Sequence, residues 1–307
     1  MSIQTNMNWS VAIHGGAGAI PRTLSAERRE ACLAALDRTL RSGVQQLTAG
    51  ASAIDVVEHL VAMLEDEPSF NAGHGAVYTR EGTHELEASI MDGAAGSCGA
   101  VTQIMTIRNP IRLARHVMDR SPHVMLCGEG AESFGADIGV EQVDNTYFDT
   151  ELRRAELDRA LSDPALAVQE GSTVGAVAMD MQGRCASATS TGGMTGKWRG
   201  RIGDSPLIGS GTYADTSCAI SCTGHGEAFI RHVVAHEISA MHRHGGVPID
   251  EAAHAVLGKM DDGAGGVILV DASGAHAVIN AKGMYRGLAE SGGRFQTAIW
   301  NDQAAES

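Results

Sequence analysis

Apolar runs and helical periodicity alternate along the chain and predict a mixed α/β fold class. Residues 9–14 form a short apolar run, typical of a strand, that ends in a glycine turn over residues 15–18, and residues 26–42 show helical spacing of apolar positions. The same patterns predict helices over residues 51–65, 110–120 and 227–242, and strands over residues 88–91, 100–107, 173–180, 185–190, 217–222 and 266–271. Both halves of the chain therefore contribute strands and helices.

One polar stretch interrupts this alternation. Residues 144–172 are rich in Glu, Asp and Arg, and the chain then changes abruptly to the apolar residues 174–181. We predict that residues 144–172 form a linker. It separates two parts of one fold, rather than two independent domains, if the second part needs the first to cover its sheet.

Composition narrows the range of partners. With 43% hydrophobic and 20% charged residues among 307, the chain can build a sizeable core. The formal net charge of -14 repels phosphate backbones and anionic lipid headgroups, so we expect no nucleic-acid partner and no membrane partner. The 6 cysteines are scattered without a CxxC pair, and the sequence does not open with a basic segment followed by an apolar one. Reduced thiols and a cytoplasmic location are therefore predicted.

Candidate chemistry begins at Thr173, which opens an apolar run directly after the polar stretch. Cleavage before this residue would create a new N-terminus that carries a β-branched hydroxyl. Its free α-amino group, with an ordinary pKa of about 7.7 to 8.0, can act as a base towards the hydroxyl of the same residue. Taken alone, a threonine at this position is more simply explained as the first residue of a strand.

Two later segments offer hydrogen-bonding groups to a reacting centre. Residues 188–193 place the hydroxyls of Thr189, Ser190 and Thr191 before two glycines, which allow close backbone approach. Residues 223–224 follow an apolar run and offer a threonine hydroxyl and a glycine N–H, which are suited to stabilising an oxyanion. Acyl transfer is the reaction type that such groups favour.

Three charged residues between these segments indicate the ligand. Arg199, Arg201 and Asp204 lie within six residues of one another. Arginine can hold a carboxylate and the aspartate an ammonium, and the two charges together describe an α-amino acid head group. The sequence therefore predicts a zwitterionic amino acid as the ligand.

Ordered motifs along the whole chain resemble one known family. They are AIHGGAG at 12–18, LEDEPSFNAGHGAVYTREGTHELEASIMDG at 64–93, TVGAVA at 173–178, ATSTGG at 188–193, GRIGDSPLIGSGTYAD at 200–215, SCTGHGE at 221–227 and GMYRG at 283–287. By these motifs the chain resembles the plant-type asparaginases with isoaspartyl peptidase activity, within the N-terminal nucleophile hydrolases. The resemblance implies a four-layer αββα sandwich. It also implies self-cleavage between Ser172 and Thr173 into an α subunit, 1–172, and a β subunit, 173–307, which assemble as an (αβ)2 heterotetramer.

The resemblance also assigns roles to single residues. It makes Thr173 the nucleophile, Thr191 the residue that positions its hydroxyl and amine, Arg201 the ligand of the substrate α-carboxylate, Asp204 that of the α-amino group, and Thr223 with Gly224 the oxyanion pair. Asn71, Thr189 and Gly193 are supporting neighbours. The backbone of the loop from Leu64 to Ala72 would bind a structural sodium ion, and catalysis would need no cofactor.

The implied substrates are L-asparagine and β-aspartyl dipeptides, whose side-chain amide is hydrolysed to release aspartate. Two departures concern residues beside the site. Ser172 precedes the scissile bond where many relatives have glycine or aspartate, which leaves the rate of self-cleavage open. His225 varies among relatives and either contacts the leaving group or is an ordinary structural histidine.

Two other functions remain open from the sequence. A relative that removes aspartate-linked sugars is expected to carry a secretory signal. An uncleaved homologue that binds amino acids or a partner without turnover would have no need of the nucleophile Thr173. A histidine pair in the predicted helix, His232 and His236, is weak evidence for a metal, and helix packing is the simpler explanation.

Overall fold

The computed structural model describes residues 8–162, 173–261 and 263–301. Two sheets lie face to face and helices cover the outer side of each, which confirms the αββα sandwich. The strands are β1 (Ser10–Gly18), β2 (Leu86–Asp92), β3 (Ser97–Ile104), β4 (Met125–Cys127), β5 (Val174–Met179), β6 (Cys185–Thr191), β7 (Thr212–Ala214), β8 (Cys218–Gly224), β9 (Gly265–Asp271), β10 (Gly274–Asn280), β11 (Gly283–Glu290) and β12 (Phe295–Ala298). The helices are α1 (Ala26–Thr48), α2 (Ala53–Glu65), α3 (Pro110–Arg120), α4 (Gly128–Asp137), α5 (Glu151–Ser162), α6 (Gly226–His232), α7 (Val234–Gly245) and α8 (Ile249–Leu257).

The larger sheet places the predicted nucleophile near its middle. Its strand order is β12-β11-β1-β5-β6-β2-β3-β4, and its neighbours pair antiparallel except for the parallel pair β3 and β4. Strand β5 lies between β1 and β6. In these ladders Gly175 is opposite His14, and Val174 is opposite Ser190. Thr173 therefore lies just beyond the paired residues of both neighbouring strands.

The smaller sheet, in the order β10-β9-β8-β7, packs against the inner face of the larger one. Small and medium apolar side chains, such as Ala12, Val177 and Ile268, fill the space between the sheets. Helices α1 to α3 cover the outer face of the larger sheet, and α6 to α8 cover that of the smaller one. A strand covered on both faces needs apolar residues at every position, which is why the VGAVAM sequence of β5 does not alternate.

Local sequence signals explain where several helices begin. Helix α2 follows Ser52, whose hydroxyl accepts a hydrogen bond from the backbone N–H of Asp55 at 3.4 Å. Helix α3 starts at Pro110, a position where the missing N–H costs nothing. The pattern-based prediction of α3 has the same bounds as the observed helix. No helix among the described residues is both long and apolar enough to cross a membrane.

Several predicted bounds differ from the observed elements, and two of the differences have a clear cause in the backbone. The first strand does not end at His14, because β1 continues to Gly18 through an irregularity in its pairing with β11, where Gly16 has a φ of 114°. The helix predicted over residues 227–242 is two helices, α6 and α7, because Val233 between them is left-handed with a φ of 47°. The glycine-rich end of β1 and the break at Val233 are backbone conformations that apolar periodicity does not encode.

The predicted linker contains ordered structure in its first part. Helix α5 and a short 3₁₀ helix, Asn145–Phe148, occupy residues 145–148 and 151–162. The buried Arg153 of α5 donates to the carbonyl of Gly75 at 2.7 Å, which ties this helix to the loop after α2. The remainder of the stretch, including Ser172 at the predicted cleavage site, lies outside the described residues. The division into subunits stays a prediction.

Candidate active site

The hydroxyl of Thr173 lies beside a second threonine. Thr173 is buried, and its Oγ1 donates to Oγ1 of Thr191 at 3.2 Å. Thr191 is the last residue of β6, the strand that pairs with β5. The backbone N–H of Gly193 also donates to Thr191 Oγ1, at 2.9 Å. The two threonines that the motifs singled out are thus brought together by the pairing of two central strands.

Asn71 holds the turn that follows Thr191. Its side-chain Nδ2 donates to the carbonyl of Gly193 at 2.7 Å, and its own carbonyl accepts from the N–H of Gly192 at 3.1 Å. Its Oδ1 accepts from the N–H of Val77 at 2.9 Å. Gly193 has a φ of 84°, a conformation that favours glycine. Asn71 therefore supports the site by fixing the backbone next to Thr191.

Arg201 and Asp204, the residues predicted to bind an amino acid, face a common point. A Cβ atom built on Gly226 would lie 2.9 Å from both Nη2 of Arg201 and Oδ1 of Asp204. Arg201 also forms a two-pronged ion pair with Glu227, with Nε to Oε1 at 3.0 Å and Nη2 to Oε2 at 2.9 Å. Although burial opposes the charge, these bonds raise the pKa of Arg201. The guanidinium is thereby held in one orientation, and its Nη1 atom takes no part in this ion pair.

Asp204 is a buried carboxylate with unusual protonation. Burial raises its pKa to about 7, against the opposing effects of a backbone hydrogen bond and the nearby Arg201. Its Oδ2 accepts no hydrogen bond from any described residue. An ammonium group placed there would supply the missing donors and favour the ionised carboxylate. The environment of Asp204 therefore suits a cationic ligand group.

Thr223 and Gly224 end strand β8 instead of lying on a turn after it. The backbone N–H of Ala17, in the glycine-rich end of β1, donates to Oγ1 of Thr223 at 3.1 Å. With one acceptor position of the oxygen used in this way, the Thr223 hydroxyl can donate its own proton. Gly224 has a φ of 148°, and a Cβ atom there would clash with the carbonyl of Ala264. The close approach of β8 to the chain that enters β9 thus requires glycine at this position.

Several of the predicted site residues lie away from the Thr173 hydroxyl. Thr189 points towards the smaller sheet, where its hydroxyl lies 2.7 Å from that of Ser221, while Ser190 points to the helices and donates to Glu65 at 2.7 Å. Arg199 is exposed, and its Nε lies 3.5 Å from Glu85. The alternation of side chains along β6 explains why Thr191 and Thr189 face the sandwich interior and Ser190 does not.

The histidines near the site have separate positions. His225 is partly exposed, precedes α6, and has Nε2 3.6 Å from Oε2 of Glu227. His236 packs edge-on against the ring of Tyr213 with centroids 5.2 Å apart. Across residues 8–162, 173–261 and 263–301, no group of three or more His, Cys, Asp or Glu side chains is arranged to hold a metal ion.

The loop predicted to bind sodium presents backbone carbonyl groups to two glycines. A Cβ atom built on Gly73 would clash with the carbonyl oxygen of Glu65, and one on Gly75 would clash with that of Phe70 and lie 2.7 Å from that of Pro68. Carbonyl oxygens are the hard ligands that cations of this kind require. The residues present therefore fit a cation held by backbone oxygens.

A pair of buried charges behind the site was not predicted from the sequence. Glu87 lies opposite Thr191 in the ladder of β2 and β6, and its Oε2 accepts from the N–H of Gly203 at 3.0 Å. Lys197 Nζ lies 3.8 Å from Oε1 of Glu87 and donates to the carbonyl of Glu85 at 2.7 Å. Burial lowers the pKa of Lys197. Glu87 thus anchors the loop that carries Arg201, and charged residues inside the strand sequence LEASIMD were the available signal.

His14 is a second missed residue, although it lies within a motif. It is fully buried, and its Nδ1 lies 2.7 Å from the carbonyl oxygen of Thr173. A polar residue at the end of an apolar run was the available signal, but its partner is 159 residues away. The structure thereby connects β1 directly to the predicted nucleophile.

Comparison with known proteins gives a consistent result. A sequence model of the asparaginase family matches residues 7–299. The chain is 43% identical over 322 residues to the probable isoaspartyl peptidase/L-asparaginase 2 of Arabidopsis thaliana, covering 95% of this chain and 99% of the relative. It is 45% identical over 309 residues to the isoaspartyl peptidase of Escherichia coli, covering 95% and 96%, and 42% identical over 272 residues to the isoaspartyl peptidase/L-asparaginase of Rattus norvegicus, covering 86% and 80%. By this similarity over most of its length, the chain belongs to the asparaginase family of hydrolytic enzymes.

Proposed function

We propose that the chain cuts itself before Thr173 and then uses this residue to hydrolyse the side-chain amide of L-asparagine and of β-aspartyl dipeptides. The observation that carries the proposal is the hydrogen bond of 3.2 Å between the hydroxyls of Thr173 and Thr191 at the start of a central strand. The names of the relatives, isoaspartyl peptidase and L-asparaginase, support the same substrates.

The first step is an N-to-O acyl shift. Oγ1 of Thr173 attacks the carbonyl carbon of Ser172, the C–N bond between the two residues breaks, and the nitrogen takes the hydroxyl proton to become an α-amine. Water then hydrolyses the ester and leaves a carboxylate on Ser172. The products would be residues 1–172 and residues 173–307, and the latter begins with a free threonine.

Turnover repeats this chemistry on the substrate. The α-amine of Thr173 accepts the hydroxyl proton while Oγ1 attacks the amide carbon of the substrate. The hydroxyl of Thr223 and the N–H of Gly224 would stabilise the oxyanion, a contribution of about 3 kcal/mol per donor in comparable sites. The ammonium of Thr173 returns its proton to the leaving ammonia or peptide amine, and water hydrolyses the acyl ester to release aspartate.

The arrangement of Arg201 and Asp204 supports an L-aspartyl group as the constant part of the substrate. Arg201 would bind its α-carboxylate, and Asp204 its α-ammonium group, since both side chains face the same point beside Gly226. The group on the other side of the amide is not bound by either residue. Asparagine and β-aspartyl dipeptides therefore differ only in their leaving group.

The remaining expectations are parts of the same proposal. Two cleaved chains would assemble as an (αβ)2 heterotetramer, and a sodium ion in the loop from Leu64 to Ala72 would stabilise the backbone next to Asn71 without taking part in a reaction step. No cofactor would be needed for catalysis. The acidic charge of -14 favours small-molecule substrates over nucleic-acid or membrane partners, and we propose a cytoplasmic location.

The experiment is to purify the protein, hold it at neutral pH, and record intact masses with N-terminal sequencing of the fragments. We expect two fragments, the smaller beginning Thr-Val-Gly-Ala, and no fragments from Thr173→Ala. Thr173→Ser is the matched control, since it keeps a hydroxyl nucleophile and should still cut. Aspartate release is then assayed with asparagine, a β-aspartyl dipeptide and an aspartate-linked sugar. An intact chain that releases no aspartate would favour a binding protein instead.

A further inference from the structure

His14 supplies the hydrogen-bond partner for the backbone carbonyl of Thr173. This carbonyl lies beyond the paired residues of β5, whose ladders begin at Val174 and Gly175. The His14 ring reaches it instead, with Nδ1 at 2.7 Å. After cleavage before Thr173, this residue would be the first of its chain. Its carbonyl group would then form its only peptide bond to the rest of the protein.

The contacts of the ring determine its protonation. A carbonyl oxygen only accepts hydrogen bonds, so Nδ1 of His14 carries a proton and donates to Thr173. Complete burial lowers the pKa of His14 to about 3, so the ring is neutral near pH 7. Nε2 must then be an acceptor, and it lies 2.9 Å from the hydroxyl of Ser221. One tautomer of His14 is compatible with both neighbours.

A row of buried hydroxyls adjoins the ring on its far side. Because Ser221 donates to His14, its oxygen accepts from the hydroxyl of Thr189 at 2.7 Å. Thr189 in turn accepts from Thr212 at 2.6 Å, and Thr212 lies 2.8 Å from the hydroxyl of Ser89, which donates to the backbone carbonyl of Ser205 at 2.6 Å. All four hydroxyl residues are fully buried between the sheets. With Nε2 of His14 as the acceptor, Ser221, Thr189 and Thr212 can each donate towards His14, while Ser89 donates to the carbonyl of Ser205.

The glycine of the Thr-Val-Gly motif makes room for this arrangement. Gly175 lies opposite His14 in the ladder of β1 and β5. A Cβ atom on Gly175 would clash with Nε2 of His14 and Oγ of Ser221, the two atoms that form the link. A side chain at this position would break the connection between the sheets.

We propose that His14 is a positioning residue for the catalytic threonine, holding the Thr173 carbonyl through Nδ1–H while the hydroxyl of Ser221 donates to Nε2 and keeps the ring in the required tautomer. The proposal rests on the function proposed above. His14 contacts neither the reacting hydroxyl nor the substrate. It restricts rotation of the peptide group that carries the nucleophile and its amine, and so lowers the barrier without contributing to substrate binding.

The test compares two substitutions that each retain one of the two hydrogen bonds. In His14→Asn the amide nitrogen replaces Nδ1 and can still donate to the carbonyl of Thr173. In His14→Gln the longer side chain reaches Ser221 and no longer donates to that carbonyl. Both variants lose one buried bond and some packing, so their Tm values should fall by similar amounts. We expect His14→Gln to slow self-cleavage and lower kcat by roughly 10- to 100-fold, while His14→Asn stays within about fivefold of wild type and KM changes little in either.

Equal losses of kcat in the two variants, or greater activity in His14→Gln, would refute the positioning role and leave a structural one. A second measurement is independent of activity. In ¹⁵N-histidine-labelled Thr173→Ala protein, the ring assigned by comparison with His14→Asn should be neutral and protonated at Nδ1 down to pH 5. A cationic ring or an Nε2–H tautomer would contradict the proposal. If wild type cuts itself but releases no aspartate, the proposed substrates fail, while the self-cleavage rates and the tautomer still test His14.

Discussion

The guanidinium of Arg201 is fixed by Glu227 through its Nε and Nη2 atoms, at 3.0 and 2.9 Å. A guanidinium has a second edge, formed by Nη1 and Nη2, on which a carboxylate can bind with two parallel hydrogen bonds. Glu227 therefore does not use up the donors of Arg201. It aligns the side chain so that the second edge can meet the α-carboxylate of a substrate.

Replacing Arg201 by lysine should weaken substrate binding. Lysine keeps the charge but cannot donate from a planar edge to Glu227 and a substrate carboxylate together. A loss of about 2 kcal/mol, typical of hydrogen bonds to charged groups, corresponds to a KM for asparagine roughly 30-fold higher. Steady-state aspartate release by the cleaved Arg201→Lys protein measures this value.

Arg199→Lys is the matched control. Arg199 was a second candidate for the carboxylate ligand, but its side chain is exposed and its Nε lies 3.5 Å from Glu85. An exposed ion pair contributes at most about 1 kcal/mol, so KM should stay within a few-fold of wild type. A larger increase of KM in Arg199→Lys than in Arg201→Lys would show that the two roles have been exchanged.

The pKa of Asp204 predicts how substrate binding depends on pH. Burial raises this pKa to about 7, and the α-ammonium group of the substrate binds the ionised carboxylate. As the pH falls below 7 the carboxylate takes up a proton, so KM for asparagine should rise, approaching about tenfold per pH unit. Above pH 7 KM should be nearly constant. Initial rates between pH 5.5 and 8.5 across a range of substrate concentrations test this.

The same experiment separates Asp204 from the α-amine of Thr173. Protonation of the amine removes the base and lowers kcat, whereas protonation of Asp204 acts on KM. Asp204→Asn should have a high KM at every pH and lose the rise below pH 7. If KM in Asp204→Asn still increases several-fold between pH 7 and pH 6, another group titrates and the assignment of Asp204 is wrong.

The sequence predicted the parts of the site that lie within short motifs. The role of Thr191 was predicted directly from the motif at residues 188–193. Its contact with Thr173 requires only the pairing of two successive strands. The partners of His14 could not be predicted in the same way, because Thr173 and Ser221 are 159 and 207 residues away. Such contacts depend on the packing of two sheets, which periodicity along one chain does not contain.

The fold class was predictable for a similar reason, and the details of the smaller sheet were not. Long apolar runs in β5 and β9 identify them as buried strands. Strand β10 at the edge of the smaller sheet escaped prediction, because its sequence GAHAVIN opens with glycine and contains polar residues. Edge strands are partly solvated, so their apolar signal is weaker.

Val233 provides a test of stability away from the site. It separates α6 from α7 with a φ of 47° and a ψ of 47°, and its side chain is largely exposed. A left-handed conformation costs a β-branched residue about 1 to 2 kcal/mol, and asparagine adopts it more readily. We expect Val233→Asn to raise Tm by roughly 2 to 4 °C, measured by calorimetry. His232→Asn, at the adjacent exposed helical position, should give no increase, and an equal gain there would contradict the argument from backbone strain.

The carbonyl groups facing Gly73 and Gly75 predict that stability depends on a small monovalent cation. If the carbonyls of Glu65, Pro68 and Phe70 bind sodium, the ion stabilises the folded chain in proportion to the logarithm of its concentration. Replacing sodium chloride by tetramethylammonium chloride at constant ionic strength should then lower Tm, since that cation is too large to be surrounded by carbonyl oxygens. At a sodium concentration 100 times the dissociation constant the difference is about 2.7 kcal/mol. Gly75→Ala, whose Cβ would displace the carbonyl of Phe70, should remove the dependence on sodium, whereas Gly130→Ala, with open space around its Cβ, should retain it. Equal Tm values in the two salts would mean that the loop is held by its own hydrogen bonds, among them those of Asn71 to Gly192, Gly193 and Val77.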